Sequence, residues 1–110
     1  MKLEAGMYVR TKEGLIFKIE KYLKRKDNIQ LFYKDCKVKI IKNIDEIKAS
    51  NNIIDLIEVG DYVNGECVYS VARNIENHYV CVETGILFND KIYSIVTKEQ
   101  FESISYRVEE

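Results

Sequence analysis

The chain has 110 residues, 46% of them hydrophobic and 32% charged, with a formal charge of −1. That composition excludes a disordered tail, a polycation and an acid tract, and the length admits one ordinary domain or two very small ones, too little for most enzyme scaffolds. No apolar run approaches the roughly 18 residues of a membrane span, and no signal-peptide core opens the chain, so a cytoplasmic protein that stays out of the membrane is expected.

The elements, taken in order, repeat. Leu3-Glu4-Ala5-Gly6-Met7-Tyr8-Val9 leads to a glycine-led strand at 14–19, a basic hairpin turn around Lys21–Lys26, a strand at 29–33, and Lys37–Ile41, which runs into a capped helix start at Asn43. An extended segment at 53–57 closes this first copy. Ile57-Glu58-Val59-Gly60-Asp61-Tyr62-Val63 then restarts the pattern, matching four of the seven opening residues. A strand at 65–71, a polar turn at 74–78, a strand at 79–82, Ile95-Val96, a capped start at Thr97 and a last strand at 105–108 follow. Asn43 with Glu46 and Thr97 with Gln100 both have capping-box spacing. The period, set by Gly6 and Gly60, is 54 residues.

Each copy thus predicts four strands, a short helix and a closing strand, the order of a small SH3-like barrel. β-branched and aromatic enrichment and glycine turns agree with an all-β class. The expected architecture is a tandem pair, residues 1–56 and 57–110. A unit this small buries only about 60% of its unfolded surface, so the two are expected to pack as one rigid body.

The charge divides with the repeat. Residues 1–55 carry 13 Lys/Arg against 8 Asp/Glu, and residues 56–110 carry 4 against 10, so a half of +5 is followed by a half of −6.

Two stretches, Ile53-Ile54-Asp55-Leu56-Ile57-Glu58-Val59-Gly60-Asp61-Tyr62-Val63-Asn64-Gly65 and Ser94-Ile95-Val96-Thr97-Lys98-Glu99-Gln100-Phe101-Glu102-Ser103, resemble short proteins of phages and prophages in low-GC Gram-positive bacteria and their relatives. The resemblance covers about a fifth of the chain. It implies a mobile-element origin, a setting in which small non-enzymatic inhibitors of host defence, anti-CRISPR proteins among them, are common. It carries over no catalytic or binding residue.

No phosphate-loop, dinucleotide or zinc-protease spacing occurs, and the lone His78 has Cys81 three residues on, pointing the other way along a strand. A protein that is not an enzyme and takes no metal or cofactor is expected. Cys36, Cys67 and Cys81 share no C-x-x-C spacing and are expected as small buried hydrophobes.

Two candidate partner-binding patches remain, each set against the plainer reading of a solvated face, which in the basic case also protects strand edges. Lys21, Lys24, Arg25 and Lys26, followed by Lys37 and Lys39 on one strand face with Val38 and Ile40 on the other, form a basic surface with Tyr22, Phe32 and Tyr33 as stacking groups. Asp61, Glu66, Tyr69, Glu76, Tyr79 and Glu83 form an acidic and aromatic one. The leading expectation is an anti-defence inhibitor that occupies a site on a host protein or nucleoprotein. The alternatives are a nucleic-acid-binding module using the basic half, and a phage structural or assembly component.

Overall fold

Glu4 to Met7 and Glu58 to Asp61 form the same turn. In each the fourth residue's N–H bonds the first residue's carbonyl, at 3.2 and 3.0 Å, and the third is a glycine at φ +94° or +99°. Only glycine takes such a φ at no steric cost, which explains why this residue recurs in both copies. The fourth side chain then folds back onto the first N–H. Met7 Sδ receives it at 3.3 Å in one copy and Asp61 Oδ2 at 2.7 Å in the other.

The computed structural model describes residues 2–74 and 76–104. The chain divides into two compact units, Met1–Leu56 and Ile57–Glu110. In the first, β1 (Tyr8–Thr11) lies between β2 (Ile16–Lys18) and β6 (Ile47–Ser50), while β4 (Ile29–Tyr33) lies between β3 (Lys21–Lys24) and β5 (Lys37–Ile41). In the second, β7 (Tyr62–Val63) lies between β8 (Glu66–Cys67) and β12 (Ile95–Val96), and β10 (His78–Val82) between β9 (Ser70–Arg73) and β11 (Gly85–Leu87). Every pairing is antiparallel. Among the described residues the class is all-β, built as two three-stranded sheets per unit, and these sheets do not close into barrels.

One residue joins the sheets of each unit. Ile19 exchanges backbone bonds with Gly6 and Met7 at 2.7 and 2.8 Å, and Glu20 donates to Phe32 at 2.8 Å, passing the chain from the first sheet to the second. Val68 exchanges bonds with Gly60 and Asp61 at 2.9 and 2.8 Å, and Tyr69 donates to Cys81 at 3.1 Å. Ile19 and Val68 are buried, so the bend in each copy sits in the core. The spacing of equivalent residues therefore falls from 54 at Gly6 and Gly60 to 49 at Ile19 and Val68. The shortening lies in the first hairpin. Asn64 at φ +52° and Gly65 at φ +83° make the second copy's two-residue turn, the Asn-Gly pair that a type I′ hairpin favours, where the first copy uses a longer loop closed by Thr11 and Leu15.

Both capping boxes form, but at non-equivalent places. Asn43 and Glu46 cap a single 3-10 turn, Ile44–Glu46, between β5 and β6, and the N–H groups of Asn43 and Lys42 hold the Glu46 carboxyl below its ordinary pKa. Thr97 and Gln100 exchange bonds of 3.1 and 3.2 Å at the start of helix α1 (Lys98–Ile104), after the last described strand. The segment expected to close the first copy as a strand, 53–57, is instead a 3-10 turn over Ile53–Leu56, which buries Ile54 and Leu56; the closing strand is β6. Asn52 Oδ1 accepts the Ile54 N–H at 3.0 Å and so fixes the turn. The counterpart expected at 105–108 lies outside the described residues.

The first core gathers Leu3, Met7, Val9, Phe17, Ile19, Leu31, Ile41 and Ile47, with Tyr33 stacked on Phe17 at 4.2 Å. In the second unit Ile57, Val63, Val68, Val80 and Val82 are buried. Cys36 and Cys67 are exposed and Cys81 half-buried, contrary to the expectation for small apolar side chains; Cys36 sits in the β4–β5 turn and Cys67 on the edge strand β8. No helix among the described residues is long and apolar enough to cross a membrane.

Candidate functional site: a cationic cleft and two apolar sheet faces

Register decides what the basic sheet presents. Tyr22 lies opposite Leu31, which lies opposite Lys39; Lys24 lies opposite Ile29, which lies opposite Ile41. Leu31 and Ile41 are buried, so Tyr22, Lys24, Lys37 and Lys39 share the core-side face and reach solvent at its margins. The other face carries Lys21, Phe32 and Val38 in one row and Leu23, Gln30 and Ile40 in the next. Lys37 and Lys39 do alternate with Val38 and Ile40, but the outer face is the apolar one: Val38 and Ile40 are 47% and 55% exposed. Lys39 is engaged with the Glu13 carboxylate, whose pKa it holds below the ordinary value, chiefly through their hydrogen bond. The three expected stacking rings separate as well. Tyr22 faces a cleft, Phe32 lies on the outer face beneath Lys21 Nζ at 4.9 Å, and Tyr33 belongs to the core.

The cleft has a volume of about 460 Å³ and lies where the β3–β4 turn meets the N-terminal segment and the start of the 3-10 turn at 44–46. Lys2, Lys24, Arg25, Lys26 and Lys42 line it with Tyr22, and among the described residues its lining contains no carboxylate. The turn is closed by the Arg25 N–H on the Asn28 carbonyl at 2.8 Å. Asn28, another lining residue, has its Oδ1 buried without a hydrogen-bond partner among the described residues. Of the basic residues singled out by sequence, Lys24, Arg25 and Lys26 come together here. Lys21 lies on the opposite side of β3, Lys37 borders a separate depression with Lys18 and Lys34, and Lys39 is paired. Lys2 carried no sequence signal, because its place depends on the N-terminal segment folding back so that Leu3 enters the core; Asn28 is placed by the β3–β4 turn.

The acidic residues do not assemble into one patch. Asp61 is fully buried, and its carboxylate accepts the N–H groups of Glu58 and Lys98 at 2.7 and 2.9 Å, so it is a structural residue and not a partner contact. Glu66 ties β8 to the β10–β11 turn by accepting the Thr84 N–H at 3.1 Å and its hydroxyl at 2.7 Å. Glu83 adjoins it in that turn, whereas Glu76 occupies the β9–β10 turn at the other end of the sheet. Tyr69 is 64% exposed. Tyr79 is half-buried, its ring edge-on to Phe88 at 5.9 Å. Lys98 Nζ meets Glu58 Oε1 at 2.8 Å, which raises the lysine pKa above its ordinary value.

The matching tyrosines do different work. Tyr62 stacks on Phe101 of α1 at 4.8 Å, while Tyr8 lies under Lys18 Nζ at 5.6 Å. His78 shares its face of β10 with Val80 and Val82, and Cys81 lies on the other, so the strand does not bring them together. Among the described residues no three His, Cys, Asp or Glu side chains gather as a metal site would require.

Comparison with protein-family models, with curated proteins and with solved structures finds no match.

Proposed function

We propose that the chain is a non-catalytic binding protein whose first unit grips a single-stranded nucleic acid along the cationic cleft. The observation that carries this is the lining: five cations and an accessible tyrosine ring around one concavity, with no carboxylate among the described lining residues. Lysines that follow a backbone and a ring that stacks on a base are the two components of sequence-tolerant single-strand binding. Each unit is read as SH3-like: a strand bent at Ile19 or Val68 serves both sheets, and a last strand returns to pair with the first. The likeness of Ile53–Gly65 and Ser94–Ser103 to phage proteins suits a module that acts on a host nucleoprotein.

A second reading, an anti-defence inhibitor bound directly to a host protein, draws on the second unit, where Tyr69 and Tyr93 are 64% and 77% exposed within a half of net charge −6.

Fluorescence anisotropy with a labelled oligodeoxythymidine, in a salt series, separates them. Binding that weakens as salt rises, and is lost in Lys24→Glu/Arg25→Glu/Lys26→Glu but kept in Lys37→Glu, is the expected result. A wild-type protein that leaves the oligonucleotide unbound at low salt refutes the nucleic-acid reading and leaves the protein partner.

A further inference from the structure

The outer faces of the two meander sheets are equivalent surfaces, and both expose large apolar side chains. The register that aligns Phe32 with Cys81 places Leu23 with Ala72, Gln30 with Tyr79 and Val38 with Ile86. Continuing the ladder one step sets Phe88 where Ile40 stands. Ile40 and Ile86 are each 55% exposed and Phe88 50%, although they belong to ordered strands or to the residue just beyond one. An antiparallel sheet with one face on a core normally turns a polar face to water. Two such faces with apolar residues at the same positions mark surfaces that a partner covers.

Charge indicates which partner. The first face carries Lys21 within it, and its two turns hold Arg25, Lys26 and Lys34 against Asp27 and Asp35, in a half of +5. The second is bounded by Glu76 and Glu83 in its two turns and by Asp90 just after Phe88, in a half of −6. Like faces would bring like charges together, whereas unlike faces complement each other. We propose that the outer face of β3, β4 and β5 in one molecule docks on the outer face of β9, β10 and β11 in a second copy of the chain. Apolar rows at equivalent positions supply the contact, and the opposite charges set which face meets which. The cleft stays outside this contact, because Tyr22 and Lys24 lie on the other side of β3.

Sedimentation equilibrium over a range of concentrations tests the proposal. The wild type is expected to self-associate. Ile40→Glu, which sets an acid against the acidic unit, and Phe88→Lys, which sets a cation against the basic one, should each raise the dissociation constant by about tenfold or more. Mixing the two variants should restore association, because the introduced charges then face each other and the second contact is untouched. Val38→Glu with Ile86→Lys repeats the test at the neighbouring row, and circular dichroism with thermal melting confirms that each variant folds. A wild type that stays monomeric at the highest concentration, variants that associate like the wild type, or a folded pair that fails to recover on mixing would each overturn the proposal.

Discussion

The buried carboxylate of Asp61 accepts the backbone N–H of Lys98 at 2.9 Å and so joins the turn that opens the second unit to the helix that follows its last described strand. The first copy has Met7 at the matching position, where its sulfur takes only the local N–H of Glu4. One turn has thus been kept while its side chain gained a long-range bond. Asp61→Ala leaves the N–H groups of Glu58 and Lys98 without their acceptor and should destabilise the protein by about 2–3 kcal/mol, read as a lower urea midpoint. Asp61→Asn, which keeps one acceptor oxygen, should lose less. Equal midpoints for wild type and Ala variant would contradict the role.

Backbone conformation gives a test in both directions. Gly60 sits at φ +99°, and a Cβ there would meet only Lys98 side-chain carbons, at 3.5 Å and beyond, so Gly60→Ala should cost about 1–2 kcal/mol from the left-handed φ alone. Cys36 holds φ +68° without being a glycine. Cys36→Gly should therefore stabilise by up to about 1 kcal/mol, less whatever the more flexible unfolded chain takes back. Thermal melts of the two variants should move in opposite directions.

The Glu13–Lys39 pair sets a pH dependence of known sign. Glu13 is held below its ordinary value of 4.5, so the stability it adds is present above that value and is lost as pH falls through the lowered one. The pair is partly exposed, and screening limits it to less than about 1 kcal/mol. Glu13→Gln should lower stability at neutral pH by less than about 1 kcal/mol and converge with the wild type at acid pH, so that the fall below pH 4.5 becomes shallower. Lys98 gives the opposite case: its pKa is raised by Glu58, so its contribution is present below the ordinary value of 10.5 and is lost as pH climbs through the raised one.

In the cleft, ring and charge should separate experimentally. Tyr22→Ala should weaken oligonucleotide binding by about 1–3 kcal/mol at every salt concentration, since stacking involves no counterions. Lys24→Ala should instead reduce the salt slope, by about 0.7 for each single-strand phosphate that the lysine neutralises. A Tyr22 variant that changes the slope and not the affinity would reverse this assignment of roles.

Much of the fold was legible because short-range signals fix it. The repeated strings around Gly6 and Gly60 form the same turn, and both capping boxes lie where residue spacing puts them. The ends of the copies were not, because equivalent capping chemistry occurs at non-equivalent places, and aligning Asn43 with Thr97 displaces the closing strand by one element. The basic surface was half legible. Alternation correctly separates Lys37 and Lys39 from Val38 and Ile40, yet which side meets the core depends on Leu31 and Ile41, whose burial is settled only by long-range packing. Asp61 was misplaced for a related reason: a carboxylate beside a glycine turn looks solvated in one dimension, and only the arrival of Lys98 in the fold makes it a buried acceptor.

The bend at Ile19 and Val68 is held by main-chain hydrogen bonds and by two buried side chains, so no side chain on the surface is needed to preserve it. After a duplication, each descendant copy could exchange its outward residues freely while keeping the same skeleton. One carries cations around a cleft, and the other acids and tyrosines. Evolutionary freedom of that kind needs a scaffold whose hinge is written in the backbone, and Ile19 and Val68 supply one to each copy.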